Sequence, residues 1–198
     1  MKVYGDKKSG NCYKIQLLMS FLGLDYEWVD VDILAGEART AAFSAKNPNC
    51  KIPLLELDDG RCLSESNAIL NYLAEGSPML PGDPFFRAQV LQWQFFEQYS
   101  HEPYIAVARF INKYLGLPEE RRQEYQSRQE GGHKALAVME QQLLDNDYLV
   151  AGQLTIADIA LYAYTHVAHE GGFDLIAYPA LGAWLQRIEQ QPHYVAMG

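Results

Sequence analysis

Three short segments of this 198-residue chain combine residue types that can hold a small ligand and activate a sulfur. The first, Ser9-Gly10-Asn11-Cys12-Tyr13-Lys14, stands just ahead of Ile15, Leu18, Met19 and Leu22, whose spacing predicts a helix. A helix opening leaves backbone N–H groups unpaired and its dipole favours a nearby anion, so a thiolate placed there would be stabilised. The spacing is that of the CxxC of redox proteins, but Ser9 stands in the first cysteine's place and dithiol exchange within the motif is unavailable. What remains is the Ser9 hydroxyl, able to donate a hydrogen bond to a sulfur brought by the ligand, with the Asn11 amide as a second donor. Taken alone, Ser9 also fits a plain helix cap, and Cys12, one turn into an amphipathic helix, reads as a small buried hydrophobe.

The second segment is Ile52-Pro53. A proline opening an apolar strand can take the cis peptide that exposes the N–H and C=O of Ile52, and a peptide-like ligand could then pair with Ile52 as an added strand. Proline at the start of an edge strand is also commonplace. The third segment, Glu65-Ser66, places a carboxylate and a hydroxyl at another helix start, where the charged ends of an amino acid could both be held. Its plain alternative is again a cap.

Elements that could position these segments follow from the apolar pattern. Residues 2–4 read as a strand, Gly23 ends the first helix, and residues 26–31 read as a second strand. A polar helix is predicted over 36–45, followed by the break Asn47-Pro48. Residues 52–57 and 62–64 form strands around Asp58-Asp59-Gly60-Arg61, a hairpin turn, and Ser66 is placed to cap a helix with Ile69, Leu70 and Leu73 inward. The order is βαβαββα. Residues 76–85, rich in proline and glycine, form a linker, and 86–198 read as all helix, over about 85–114, 119–144, 155–169 and 180–191. Most aromatics of the segment from Trp93 to Phe110 are read as core. Thr155 and Asp158 make a helix-start capping pattern whose truncation is expected to cost on the order of 0.5 to 2 kcal/mol.

Composition narrows the class. Hydrophobic residues make up 48% of the chain, enough for a substantial core, and a net charge of −9 repels phosphate backbones and anionic lipid. Nucleic acid and membrane partners are therefore not expected. Cys12, Cys50 and Cys62 form no disulfide framework or zinc pattern, and the five histidines show no metal spacing, so no metal is expected. No secretory leader or spanning run is seen, and a cytoplasmic location is expected.

The serine segment, Asn47-Pro48 with Lys51-Ile52-Pro53, Glu65-Ser66-Asn67-Ala68-Ile69 and Thr155-Ile156-Ala157-Asp158-Ile159-Ala160 occur in an order and spacing that resemble the cytosolic glutathione transferases of the bacterial, theta-like serine type. The resemblance implies an α/β thioredoxin-like domain over 1–75 that binds glutathione, then an all-α domain over 86–198. It implies a homodimer, no cofactor beyond glutathione as co-substrate, and conjugation of the glutathione sulfur to small hydrophobic electrophiles. By the same resemblance Ser9 meets the sulfur with help from Asn11, Ile52 pairs with the cysteinyl backbone next to Pro53, Glu65 and Ser66 hold the γ-glutamyl end, and Lys51 approaches the glycyl carboxylate. Arg39 could assist there, because Ala38 stands where many such proteins carry a histidine. Tyr104 is expected as a wall of the electrophile pocket, between the first loop and the helical half. Glutathione-dependent disulfide or peroxide reduction, and a non-catalytic binding role on the same fold, remain open.

Overall fold

The computed structural model describes residues 1–198 and divides into two units, Met1–Ser77 with Pro192–Gly198, and Pro78–Gln191. The first unit follows the predicted order: β1 (Lys2–Gly5), α1 (Gly10–Leu22), β2 (Glu27–Asp30), α2 (Ala41–Ser44), β3 (Leu54–Glu56), β4 (Cys62–Ser64) and α3 (Ser66–Ala74). The sheet runs β2-β1-β3-β4, with β1 parallel to β2 and the other pairs antiparallel. Gly60, at φ +85°, takes the left-handed position in the hairpin between β3 and β4, which glycine occupies without steric cost.

Helix α1 is buried on most of its surface; Ile15, Leu17, Leu18 and Met19 are fully enclosed. It ends at Gly23, a left-handed cap whose N–H bonds the carbonyls of Met19 and Ser20. The helix lies so close to β1 that a Cβ on Gly5 would sit 2.7 Å from the Cys12 sulfur. The polar helix expected over 36–45 is instead a 3₁₀ turn at Glu37–Arg39 and the short α2. Thr40 separates them with extended backbone, its hydroxyl donating to the Glu37 carbonyl and accepting from the Phe43 N–H, a local alternative to helix bonding.

Residues 192–198 pack with the first unit, whereas the sequence pattern assigned them to the helical half. Tyr13 Oη donates to the Val195 carbonyl at 2.6 Å and Ser20 Oγ to the His193 carbonyl at 2.7 Å.

The second unit is helical throughout: α4 (Pro84–Phe96), α5 (Glu102–Arg109), α6 (Arg122–Leu143), α7 (Ile156–Thr165) and α8 (Pro179–Glu189). A π-helical turn at Glu97–His101 joins α4 to α5 and another at Phe110–Tyr114 follows α5, so the predicted helix over 85–114 is nearly continuous but twice widened. Asp158, fully buried, accepts from four donors: the Thr155 N–H and hydroxyl at 2.9 Å each, the Leu149 N–H at 2.9 Å and the Trp184 indole at 3.0 Å. One expectation fails here. Phe95 and Tyr99 are not core but 68% and 86% exposed, because they lie on the outward face where α4 runs into the π turn. No helix is long and apolar enough to cross a membrane.

Candidate functional site

Ser9 is the N-cap of α1, half-buried, with extended backbone, and its Oγ accepts from the Cys12 N–H over a long 3.5 Å. Asn11, in the first turn of the same helix, accepts at Oδ1 from the Ser66 hydroxyl at 3.1 Å. The Ser66 oxygen in turn accepts from the Lys14 ammonium at 3.2 Å. These bonds bring the openings of α1 and α3 together.

Ser66 was expected to cap α3, but it is the first helical residue and Glu65 occupies the cap without a side-chain cap bond. The reason is that the Ser66 hydroxyl is engaged by Lys14 and Asn11. Glu65 is held at φ +69°, a left-handed value that a residue with a side chain adopts at a cost of about 1 to 3 kcal/mol, and such strain concentrates where ligands are held. Its carboxylate accepts from Asn49 Nδ2 at 3.5 Å, which ties the α3 opening to the loop carrying Lys51 and Ile52.

That loop is organised by Asn47, 3% exposed, which donates from Nδ2 to the Lys51 carbonyl at 2.7 Å and accepts at Oδ1 from the Asn49 N–H at 3.1 Å. The Ile52–Pro53 peptide is cis, and Ile52 precedes the β3 ladder, whose register begins at Leu54. The Ile52 side chain packs on a small core of Val31, Ala38, Phe43 and Leu54. Ala38 therefore belongs to this core, while Lys51 and Arg39 stand exposed, Arg39 outside the hydrogen-bonded network.

The other residues that could activate a sulfur are committed elsewhere. Burial pushes the Cys12 thiol up to about 12, against weaker opposing hydrogen bonds from Ser9 and the Asp6 backbone, so Cys12 stays a thiol at neutral pH. Tyr4 donates to Glu56 at 2.6 Å, and this bond to a carboxylate holds its phenol above the ordinary range. Tyr13 is fully enclosed and bonded to the Val195 carbonyl. No cluster of His, Cys, Asp or Glu is arranged to hold a metal. Burial lowers His166 to about 4 and its ring stacks on Tyr162 at 4.6 Å, a neutral packing role.

In the helical unit, Tyr104 lies against Gly131 of α6, where a Cβ would come within 2.2 Å of the tyrosine ring. It lines a cavity of about 250 Å³ with Phe96, Ser100, Lys134, Ala135 and Val138.

Sequence reasoning passed over Lys14. A signal was present: Asn11 and Lys14 continue, one turn earlier, the inward stripe of Ile15, Leu18, Met19 and Leu22, and a lysine there must be buried or bend the helix outward.

Comparison with known proteins agrees with this architecture. Residues 1–75 match the profile of the glutathione S-transferase N-terminal domain and residues 92–192 that of the C-terminal domain. The chain belongs to the glutathione S-transferase family. It is similar to the crystal structure of a glutathione S-transferase from Pseudomonas fluorescens Pf-5, with a TM-score of 0.98 and 66% identity over 99% of this chain and 98% of that one. Among curated proteins it is 30% identical to a maleylacetoacetate isomerase of Pseudomonas aeruginosa, over 91% of this chain and 87% of that protein. It is also 30% identical to the disulfide-bond oxidoreductase YfcG of Escherichia coli K12, over 92% and 87% respectively.

Proposed function

We propose that this protein binds glutathione in its first unit and conjugates the sulfur to small hydrophobic electrophiles. The observation that carries this reading is the junction of the α1 and α3 openings through Asn11 and Ser66, with Glu65 at a left-handed φ and a cis Ile52–Pro53 peptide in the same unit. Glu65 and the first N–H groups of α3 hold the γ-glutamyl end, Ile52 pairs with the cysteinyl backbone beside Pro53, and Lys51, with Arg39 further out, draws the glycyl carboxylate. Ser9 and Asn11 then meet the sulfur. An aqueous thiol titrates near pH 8.5 and only its thiolate attacks, so the first unit removed from that pKa raises the reactive fraction about eightfold at neutral pH and the second about threefold. Tyr104 and its cavity mates offer the electrophile an apolar wall. The reaction needs no metal or further cofactor, and a cytoplasmic location fits a reduced thiol substrate.

The test compares Ser9→Ala with Cys12→Ala. Ser9→Ala is expected to lower conjugation of a chloronitrobenzene about threefold at pH 7, with the acid limb of the rate profile displaced upward by about one unit. Cys12→Ala keeps the parent rate and profile, because a thiol pushed up to about 12 contributes no thiolate. An unchanged Ser9→Ala rate would refute the role of the hydroxyl.

Similarity to a disulfide-bond oxidoreductase favours a second reading, glutathione-dependent disulfide reduction, in which glutathione supplies the sulfurs and the protein's cysteines stay idle. Faster reduction of a model disulfide than conjugation would select it.

A homodimer completes the proposal. Exposed Phe85, Leu91, Phe95 and Tyr99 on α4 and its π turn are apolar side chains that a second copy could cover. Light scattering is expected to return twice the chain mass, and Phe95→Glu with Tyr99→Glu to return the single chain.

A further inference from the structure

We infer that Lys14 is a positioning residue that tunes the sulfur site through Ser66 and Asn11; the inference rests on the glutathione-binding reading above. Lys14 is fully enclosed, and an ammonium without water is costly unless it is put to use by groups around it. It donates to Ser66 Oγ at 3.2 Å, and the Ser66 hydroxyl donates onward to Asn11 Oδ1 at 3.1 Å. Both bonds run in one direction, from the cation to the amide.

Two effects follow. A hydroxyl that accepts from an ammonium becomes a stronger donor, and an amide whose oxygen accepts such a bond has more acidic N–H groups. The relay therefore delivers part of the lysine charge to Asn11 Nδ2, in the first turn of α1, two residues from Ser9. The second effect is orientation. With Oδ1 turned to Ser66, the amide presents its donor end to a sulfur; rotated by half a turn it would present an oxygen and repel a thiolate. Because Lys14 is out of water, its field is weakly screened.

A merely structural lysine predicts something different. Its loss would lower stability, since removing one member of a buried polar set leaves its partners unsatisfied, and would leave the pKa of a bound thiol where it was. The measurement is a titration of bound glutathione, read by the ultraviolet absorbance of its thiolate, in the parent, Lys14→Met, Lys14→Arg, Asn11→Ala and the Lys14→Met/Asn11→Ala double variant. Lys14→Met is expected to raise the pKa of the bound thiol by about one unit, roughly threefold less thiolate at neutral pH, with glutathione affinity changed less than about threefold. Lys14→Arg restores at least half of that shift. In the Asn11→Ala background, loss of Lys14 adds nothing, since the two act in series. Should Lys14→Met fold poorly, Ser66→Ala cuts the same relay at its middle and must give the same shift. An unchanged pKa in Lys14→Met, or an equal shift with and without Asn11, overturns the relay while leaving glutathione binding intact. Absence of saturable glutathione binding by the parent overturns both readings together.

Discussion

Asp158→Ala is expected to cost about 4 kcal/mol of stability, because it strands four buried donors, each worth about 1 to 3 kcal/mol when left unsatisfied, less what entering water restores. The donors come from three places: Thr155 at the start of α7, Leu149 in the preceding loop and Trp184 on α8. Burial raises the Asp158 carboxyl above its ordinary value, and the four hydrogen bonds offset only part of that rise. Thr155→Ala removes one hydroxyl and is expected to cost about 1 kcal/mol, the ordinary value of a helix cap. Asp158→Asn falls between them, since the amide must turn its NH₂ toward one pair of donors. Chemical denaturation followed by tryptophan fluorescence checks the series, the midpoint falling in the order Thr155→Ala, Asp158→Asn, Asp158→Ala. Equal midpoints for the Thr155 and Asp158 truncations would show that the bonds to Leu149 and Trp184 contribute nothing.

The second large effect concerns the sulfur. In Ser9→Ala/Asn11→Ala both proposed donors are gone, and conjugation at pH 7 is expected to fall about twenty-five-fold, the loss of thiolate when a thiol rises by two units from about 6.5 to the aqueous value of about 8.5. The sign follows from which form is stabilised. Donors favour the thiolate and depress its pKa, so their loss moves the acid limb upward and the rate recovers as pH rises through the new value. Glutathione affinity should change little, since the contacts proposed for Ile52, Glu65 and the α3 opening are untouched by these substitutions. A loss that persists at alkaline pH would point to damaged positioning of the electrophile instead.

How much of the fold and of the candidate site is legible in the sequence differs from residue to residue. The βαβαββα order was legible because strand and helix periods, Gly23 and the Asp58-Asp59-Gly60-Arg61 turn are local signals. The capping pair Thr155 and Asp158 was legible for the same reason, whereas the further bonds from Leu149 and Trp184 to Asp158 were not, since those residues lie 9 and 26 positions away and nothing local announces them. Ser66 read as a cap because serine before a helix usually is one; its hydroxyl is claimed by residues 52 and 55 positions away. Phe95 and Tyr99 read as core because aromatics usually are, and only the widened turn after α4 decides which face they take. Lys14 was visible as a polar residue on an apolar stripe, but its partner was not.

The bonds from Tyr13 and Ser20 to Val195 and His193 make the helical unit a topological insertion in the sheet-bearing one, left at residues 77–78 and rejoined at 191–192. During synthesis α1 emerges with two hydroxyls aimed at carbonyls that do not yet exist, and they wait until every helix of the second unit has been made. Docking of the tail is then a loop closure, whose entropic cost grows only slowly with the length of the excursion it spans. The helix bearing Ser9, Asn11 and Lys14 is thereby finished after the rest of the fold, so that a chain translated only as far as residue 191 would carry the whole site on an incompletely covered helix.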